Sequence, residues 1–268
     1  LINEISCGDN LQLLAAIMMS KEISKGVKNV VVHIPVGNAS FIKKEVDARK
    51  IAEKLIKIGK IIEKHVVCVI TDMSQPIGYS MGNSLEMIET IEALKGKMQE
   101  DIKQIVLELG AQIIRVYKND FDIDNNKTKM ITNLENNKAF DKFVELVENQ
   151  DGDTSYVQNI ENFKTAEYII PVVAEKTGFV KKINTEKIRH LCNELAQTIV
   201  NEQESIDDKA GIIITKKIGD RIEQGDVIAF IHTNVVGDEN KIVETLKSCY
   251  EISDKCLFKP KVILGIME

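Results

Sequence analysis

The sequence has little of what nucleic-acid, membrane and disulfide-built proteins require. Lys and Arg number 35 against 41 Asp and Glu, a formal net charge of −6, so no global positive field attracts nucleic acid or an anionic membrane. Apolar runs such as Leu13 to Met19 fall far short of the ~20 residues of a membrane span. No basic segment followed by a cleavage site precedes that run, so a signal peptide is not expected. The five cysteines, Cys7, Cys68, Cys192, Cys249 and Cys256, stand at spacings that match no metal pattern, and His33, His65, His190 and His232 show none either. The cysteines are expected to be buried thiols of a reducing compartment, with the cytoplasm as the expected location. A starting methionine is also missing: the chain begins at Leu1 and enters a polar stretch to Asn10, and the expectation is that an N-terminal part precedes it.

What is present is an ordinary globular composition, 44% hydrophobic and 28% charged over 268 residues. At roughly 100–200 residues per domain, two domains are favoured. Residues 11–25 are apolar nearly all round, as in a helix buried on most sides, and Gly26 ends it. Val27 to Val36 and Val66 to Ile70 read as buried strands of a parallel sheet, joined by a helix over 47–64 with Ile51, Ala52, Leu55, Ile56, Ile58, Ile61 and Ile62 on its apolar stripe. Asn83 is the expected N-cap of a further helix, with Glu86 three residues on and Gly96 as its C-cap. Residues 97–149 are expected to be mainly helical, with Ile102, Ile105, Val106, Leu109 and Ile113 on one stripe. Polar residues 150–165 form the expected linker. Beyond it, short β-rich runs at 168–173, 178–180, 211–215 and 227–232 alternate with turns at Gly219-Asp220 and Gly225-Asp226, and helices are expected at 186–201 and 240–248. The expected organisation is an α/β and helical part over 1–149 and a smaller α+β part over 166–268.

The richest segment runs from Thr71 to Glu86. It follows a strand's C-terminal end and opens a helix, the place where open α/β sheets hold ligands, and Asp72, Ser74 and Gln75 could bind a polar one. Glu86, Glu89 and Glu92 lack a basic residue four positions later, so one of them could hold a hard cation with carbonyls of the loop, although acids near a helix start are also favoured by its dipole. Lys21 emerges from an apolar helix and could meet a carbonyl or phosphate. Gly37-Asn38-Ala39-Ser40 is a weak anion loop without a Walker-type lysine.

Asp72-Met73-Ser74-Gln75-Pro76-Ile77-Gly78-Tyr79 with Gly82-Asn83-Ser84-Leu85-Glu86 resembles the signature of the pyrimidine-nucleoside and thymidine phosphorylases. The resemblance continues through Ala93-Leu94-Lys95-Gly96, Leu107-Glu108-Leu109-Gly110, Ile206-Asp207, Thr215 to Asp220 and Ile231-His232-Thr233-Asn234. It implies an α/β nucleoside-phosphorylase central domain, a partial parallel sheet with helices, followed by the smaller α+β domain. It implies phosphorolysis of a pyrimidine nucleoside, thymidine or uridine, to free base and pentose 1-phosphate, with phosphate as co-substrate. Lys21 matches the lysine that contacts the base. Glu89, with the carbonyls of Ile77 and Ser80, matches a monovalent-cation site, implying a potassium ion. A homodimer is among the implied partners, although the family's dimer contacts correspond largely to features preceding Leu1.

The chain also departs from the pattern. Ile2 and Ile17 stand where the family has a base-contacting arginine and serine, His33 and Pro35 where it has Asp and Lys, and its Gly-rich phosphate loop corresponds to a segment preceding Leu1. The expectation is therefore a family member inactive as this chain alone. The alternative is a non-catalytic relative that binds a nucleoside or a partner. A biotinyl- or lipoyl-like carrier role for 175–235 is disfavoured because no lysine sits between two methionines at a hairpin tip.

Overall fold

The computed structural model describes residues 10–200, 203–234, 237 and 239–268. In chain order the elements begin α1 (Leu11–Ser24), β1 (Asn29–Val36), α2 (Glu45–Ile61), β2 (His65–Asp72), β3 (Ser80–Met81) and α3 (Asn83–Glu92). There follow α4 (Glu100–Lys118), α5 (Ile123–Glu135), α6 (Lys138–Glu148), α7 (Thr154–Gln158), β4 (Tyr168–Val173) and β5 (Gly178–Ile183). The last are α8 (Thr185–Ala196), β6 (Gln197–Val200), β7 (Gln203–Ile206), β8 (Gly211–Ile214), β9 (Arg221–Ile222), β10 (Val227–Thr233), α9 (Glu239–Lys247), β11 (Tyr250–Ser253) and β12 (Ile263–Met267).

Two compact units result, both discontinuous in sequence. The first takes the described residues of Leu1–Met73 with Asp101–Thr132 and Lys261–Glu268, and the second takes Ser74–Glu100 with Asn133–Pro260. This grouping does not run in chain order, as 1–149 followed by 166–268 would, and 150–165 holds α7 and a short 3-10 turn at Ile160–Asn162.

In the first unit, β1 and β2 pair in parallel across the α2 crossover, with Val32 opposite Cys68 and Pro35 opposite Thr71. β2 is the central strand because β12, which the sequence reading did not anticipate, returns antiparallel on its other edge, with Met267 opposite Cys68. Val66 through Thr71 are all buried accordingly, which suits a strand covered on both faces. Alternate residues Val66, Cys68 and Ile70 join a core with Ile51, Ala52 and Leu55 of α2 and Leu14, Ala15 and Met19 of α1.

The helix α2 turns Ala48, Ile51, Ala52, Leu55, Ile56 and Gly59 inward. Gly59 is needed there, since a Cβ would lie 2.4 Å from Val66 Cγ2. Ile58 and Ile62 pack half-buried against this core, but Ile61 is 81% exposed, one position off the stripe that was expected to include it. α1 buries only Leu14, Ala15 and Met19, with Leu13 and Ile23 exposed, so it is a one-sided helix rather than one enclosed all round. In α4 the inward face carries Ile105, Glu108, Gln112 and Val116, while Val106 and Ile113 of the expected stripe are exposed. The buried Glu108 carboxylate is paired with Lys127 of α5 at 2.5 Å and accepts from Gln112 at 2.8 Å. Gly110 admits Met130, whose methyl would lie 2.2 Å from a Cβ there.

The second unit is antiparallel throughout: a four-stranded sheet ordered β3-β8-β10-β4, a three-stranded sheet ordered β11-β5-β9, and the β6-β7 hairpin. Its core gathers Ile212, Ile214, Ile228 and Ile231 of the larger sheet, Val180, Ile183 and Ile222 of the smaller, and Ile188 and Leu191 of α8. α8 is capped by Asn184, whose side chain accepts from Lys187 N–H at 3.0 Å. It stops at Ala196 rather than near Asn201, because the β-branched run Thr198-Ile199-Val200 favours the extended β6. The expected Gly-Asp turns are present, with Gly219 at φ +91° and Gly225 at φ +93°. Of the described cysteines, Cys68, Cys192 and Cys249 are buried but Cys256 is exposed, against the expectation that all are buried. Cys7 lies outside the described residues. No described helix is long and apolar enough to cross a membrane.

Candidate functional site: the Ser74–Gly82 loop and helix α3

The Asp72-to-Glu86 segment is split by the division into units, with Asp72 and Met73 closing β2 in the first and Ser74 onward in the second. In the first unit, β2 ends in a defined geometry: Asp72 N–H donates to Val262 carbonyl and Met73 N–H to Val36 carbonyl.

In the second unit, the loop is built around Glu89. One carboxylate oxygen accepts from Tyr79 N–H at 2.9 Å and the other from Ser80 N–H at 3.1 Å. Bonds from amides to a carboxylate are roughly twice as strong as neutral ones, so this acid draws the loop onto α3. The direction of β3 follows from its pairing. Hydrogen-bonded and non-bonded residue pairs alternate along an antiparallel ladder. Ile214 N–H donates to Tyr79 carbonyl at 2.9 Å, so the next pair, Ser80 opposite Ile213, is the non-bonded one. Ser80 N–H accordingly turns away from β8 and donates to Glu89.

The three acids of α3 have separate roles. Glu86 accepts from Gly82 N–H at 3.1 Å, Glu89 holds the loop, and Glu92 pairs with Lys97 at 2.5 Å across the π-helical turn Ala93–Lys97. Glu92 thus has a basic partner five residues on, which a four-residue search passes over. Gly96, expected as the C-cap, lies within that turn as a kink at φ +91°, while α3 is capped by Ala93 and the turn by Met98. The N-cap is Gly82, not Asn83. At φ +134° Gly82 lies so close to β8 that a Cβ would be 2.5 Å from Ala210 carbonyl oxygen. Asn83 instead donates to Asp208 at 2.7 Å, and Ser84 N–H to Asp208 carbonyl at 3.0 Å.

Two anchors from the 215–220 stretch hold the loop's other end. Ile218 N–H donates to Gln75 Oε1 at 2.7 Å, so that oxygen is committed within the protein rather than offered to a ligand. Lys217 is buried, donates to Pro76 carbonyl at 3.1 Å, and places its ammonium 4.6 Å from the centroid of the Tyr79 ring. The Asp207-Asp208 turn and Ile231–Asn234 also meet, through Asn234 Nδ2 and Asp207 Oδ2 at 2.5 Å. Sequence reading overlooked Lys217 and Asp208 as loop-holding residues. The available signal was a lysine between apolar Ile214 and Ile218, and an aspartate pair closing a turn before a strand.

The remaining candidates are placed as follows. Lys21 is exposed on the last turn of α1 in the first unit, where its charge suits the helix dipole. Ile77, Ser80 and Glu89 are together in the second unit. Ile17 is half-buried on α1, and Ile2 lies outside the described residues. The Gly37-to-Ser40 turn is tied to its flanks: Ser40 Oγ donates to Pro35 carbonyl at 2.7 Å and accepts from Ile42 N–H at 3.2 Å. His33 Nε2 is 2.7 Å from Thr71 Oγ1, and burial holds its pKa below the usual range. No group of three or more His, Cys, Asp or Glu side chains is placed to hold a metal among the described residues.

Residues 179–253, from β5 to β11, match the family described as pyrimidine nucleoside phosphorylase C-terminal domain. The pyrimidine-nucleoside phosphorylase of Bacillus subtilis is 34% identical over 226 residues, 84% of this chain and 52% of the relative. Those of Staphylococcus aureus strains RF122 / ET3-1 and USA300 are each 30% identical over 246 residues, 92% of this chain and 57% of each relative. The chain thus spans somewhat more than half the length of the curated relatives it matches, and over that span it belongs to the pyrimidine-nucleoside phosphorylase family.

Proposed function

We propose that this chain carries the nucleoside-side and cation-side parts of a pyrimidine-nucleoside phosphorylase, serving phosphorolysis of thymidine or uridine to free base and pentose 1-phosphate. The observation that carries the reading is the Glu89 carboxylate bound to the amides of Tyr79 and Ser80 within the segment that resembles the family signature. Such chemistry needs an oxocarbenium-like sugar stabilised, charge on the departing base neutralised, and phosphate held beneath the anomeric carbon. Lys21 is the proposed cation for the base oxygen.

The donor set fits a monovalent cation. Each Glu89 oxygen accepts one amide and keeps lone-pair capacity for a cation. Glu89 and the Ser80 and Ile77 carbonyls would hold potassium, which supplies charge that stiffens an all-oxygen loop and takes no part in bond breaking. A nucleoside and phosphate are the proposed partners, with a homodimer as the proposed assembly and the cytoplasm as the proposed compartment.

We further propose that the chain alone does not turn over nucleoside. Ile17 offers no hydrogen bond to a base, and the Ser40 hydroxyl of the Gly37–Ser40 turn is engaged by Pro35 and Ile42. The same observations favour the second reading, a non-catalytic nucleoside-binding relative. Chromatographic assay of uracil and thymine release with saturating phosphate tests both. No release with measurable uridine binding is expected, and that binding should fall in Lys21→Ala. Phosphate-dependent release by the chain would overturn the inactivity, and binding unchanged in Lys21→Ala would remove Lys21 from the base site.

A further inference from the structure

Lys217 is the most deeply buried lysine among the described residues, at 8% exposure, and its surroundings are unusual for a lysine. An ammonium taken out of water needs compensating partners. Here they include the Pro76 carbonyl at 3.1 Å and the face of Tyr79 at 4.6 Å. Both belong to the signature loop, while Lys217 stands on the turn after β8. That turn is itself fixed. Lys217 N–H donates to Asp220 Oδ2 at 2.8 Å, Asp220 Oδ1 pairs with Lys259 at 2.9 Å, and Ile218 N–H binds Gln75 at 2.7 Å. A rigid turn therefore delivers one charge to two points that flank Ile77 and Gly78. Tyr79 is the residue whose N–H reaches Glu89.

We propose that Lys217 is a positioning residue for the cation loop: through Pro76 and the Tyr79 ring it sets the backbone from Pro76 to Ser80 so that the Tyr79 and Ser80 amides meet Glu89. A cation over an aromatic face is worth more when desolvated, and the bond to Pro76 fixes the point from which the loop departs. This deepens the cation-site reading under Proposed function and rests on it only for its ligand, since the backbone geometry is tested without one.

The experiment uses the full chain and its Lys217→Met, Lys217→Arg and Tyr79→Leu variants. Amide hydrogen exchange is followed over 75–82 and over β10, and the potassium midpoint of the thermal shift is measured against choline. Lys217→Met keeps the stem and removes the charge. It should speed exchange at Tyr79 and Ser80 about tenfold while β10 is unchanged, because local opening is separable from global unfolding. It should also raise the potassium midpoint about threefold or more. Lys217→Arg should restore slow exchange. Should Lys217→Met fail to fold, Tyr79→Leu decides, with the same acceleration expected at Ser80. Unchanged exchange at Ser80 in the folded variants would overturn the proposal, as would an equal acceleration over β10, which marks a merely structural role. A wild-type chain without any potassium shift refutes the cation reading alone, and the exchange comparison still decides the role of Lys217.

Discussion

Gly211→Ala should damage the second unit through sterics alone. Gly211 opens β8 without a left-handed φ, so the whole penalty is steric. An added Cβ would lie 2.2 Å from Met81 carbonyl oxygen, 2.9 Å from Leu85 Cδ1 and 3.1 Å from Gly82 Cα. Two of the three are backbone atoms, one of β3 and one of the Gly82 N-cap that follows it, so no side-chain rotation relieves the clash. Overpacking of this kind costs about 1–3 kcal/mol. Displacing β3 also threatens the Ile214-to-Tyr79 hydrogen bond, about 0.5–1.5 kcal/mol more, for a total of about 1.5–4.5 kcal/mol. Gly225→Ala is the control: its site is open space and only the φ of +93° is penalised, at about 1–2 kcal/mol. Urea-dependent exchange of the Ile212 and Ile231 amides measures the stability of this unit without assuming that both units unfold together. Gly211→Ala costing no more than Gly225→Ala would refute the close approach of β3 to β8.

Two further outcomes follow from burial. His33 and His232 both have pKa values held below 6.5 by desolvation, so the fold keeps them neutral while the unfolded chain takes up protons near 6.5. Their contribution is full above that pH and is lost as pH falls toward the folded values. The urea midpoint should drop between about pH 7.5 and pH 5, less in His33→Gln than in wild type, and an identical drop in both would exclude His33. Among the described cysteines, Cys256 should react first with a disulfide reagent under native conditions. Burial pushes Cys68 and Cys192 up to about 12 and Cys249 up to about 11. Peptide mapping showing Cys68 modified as fast as Cys256 would contradict the packing of β2.

Periodicity made most single elements legible. The parallel pair β1 and β2 with α2 between them, and the four β runs of the second unit, stand where alternation and β-branched runs place them. What escaped were features set by partners distant in sequence. β12 is a short apolar end whose meaning comes only from pairing with β2, and with it the first unit closes on residues nearly two hundred positions apart. Asn83 has the chemistry of an N-cap, but close approach to Ala210 favours Gly82, and Asn83 turns to Asp208. Ile61 fits a helical stripe by spacing, yet the buried arc of α2 is centred on Ala48, Ala52, Leu55 and Gly59. At the candidate site, spacing offered Glu86, Glu89 and Glu92 alike, and the family resemblance singled out Glu89. Its binding to two amides, and the buried Lys217 opposite, depend on long-range pairing of β3 with β8.

Glu89 and the loop it binds are the proposed monovalent-cation site. A titration of melting temperature with potassium chloride, at ionic strength held constant with choline chloride, tests it in the wild-type chain and in Glu89→Ala. A saturable, potassium-specific rise is expected in the wild type and none in the variant. A rise of equal size in Glu89→Ala, or none in the wild type, would contradict it.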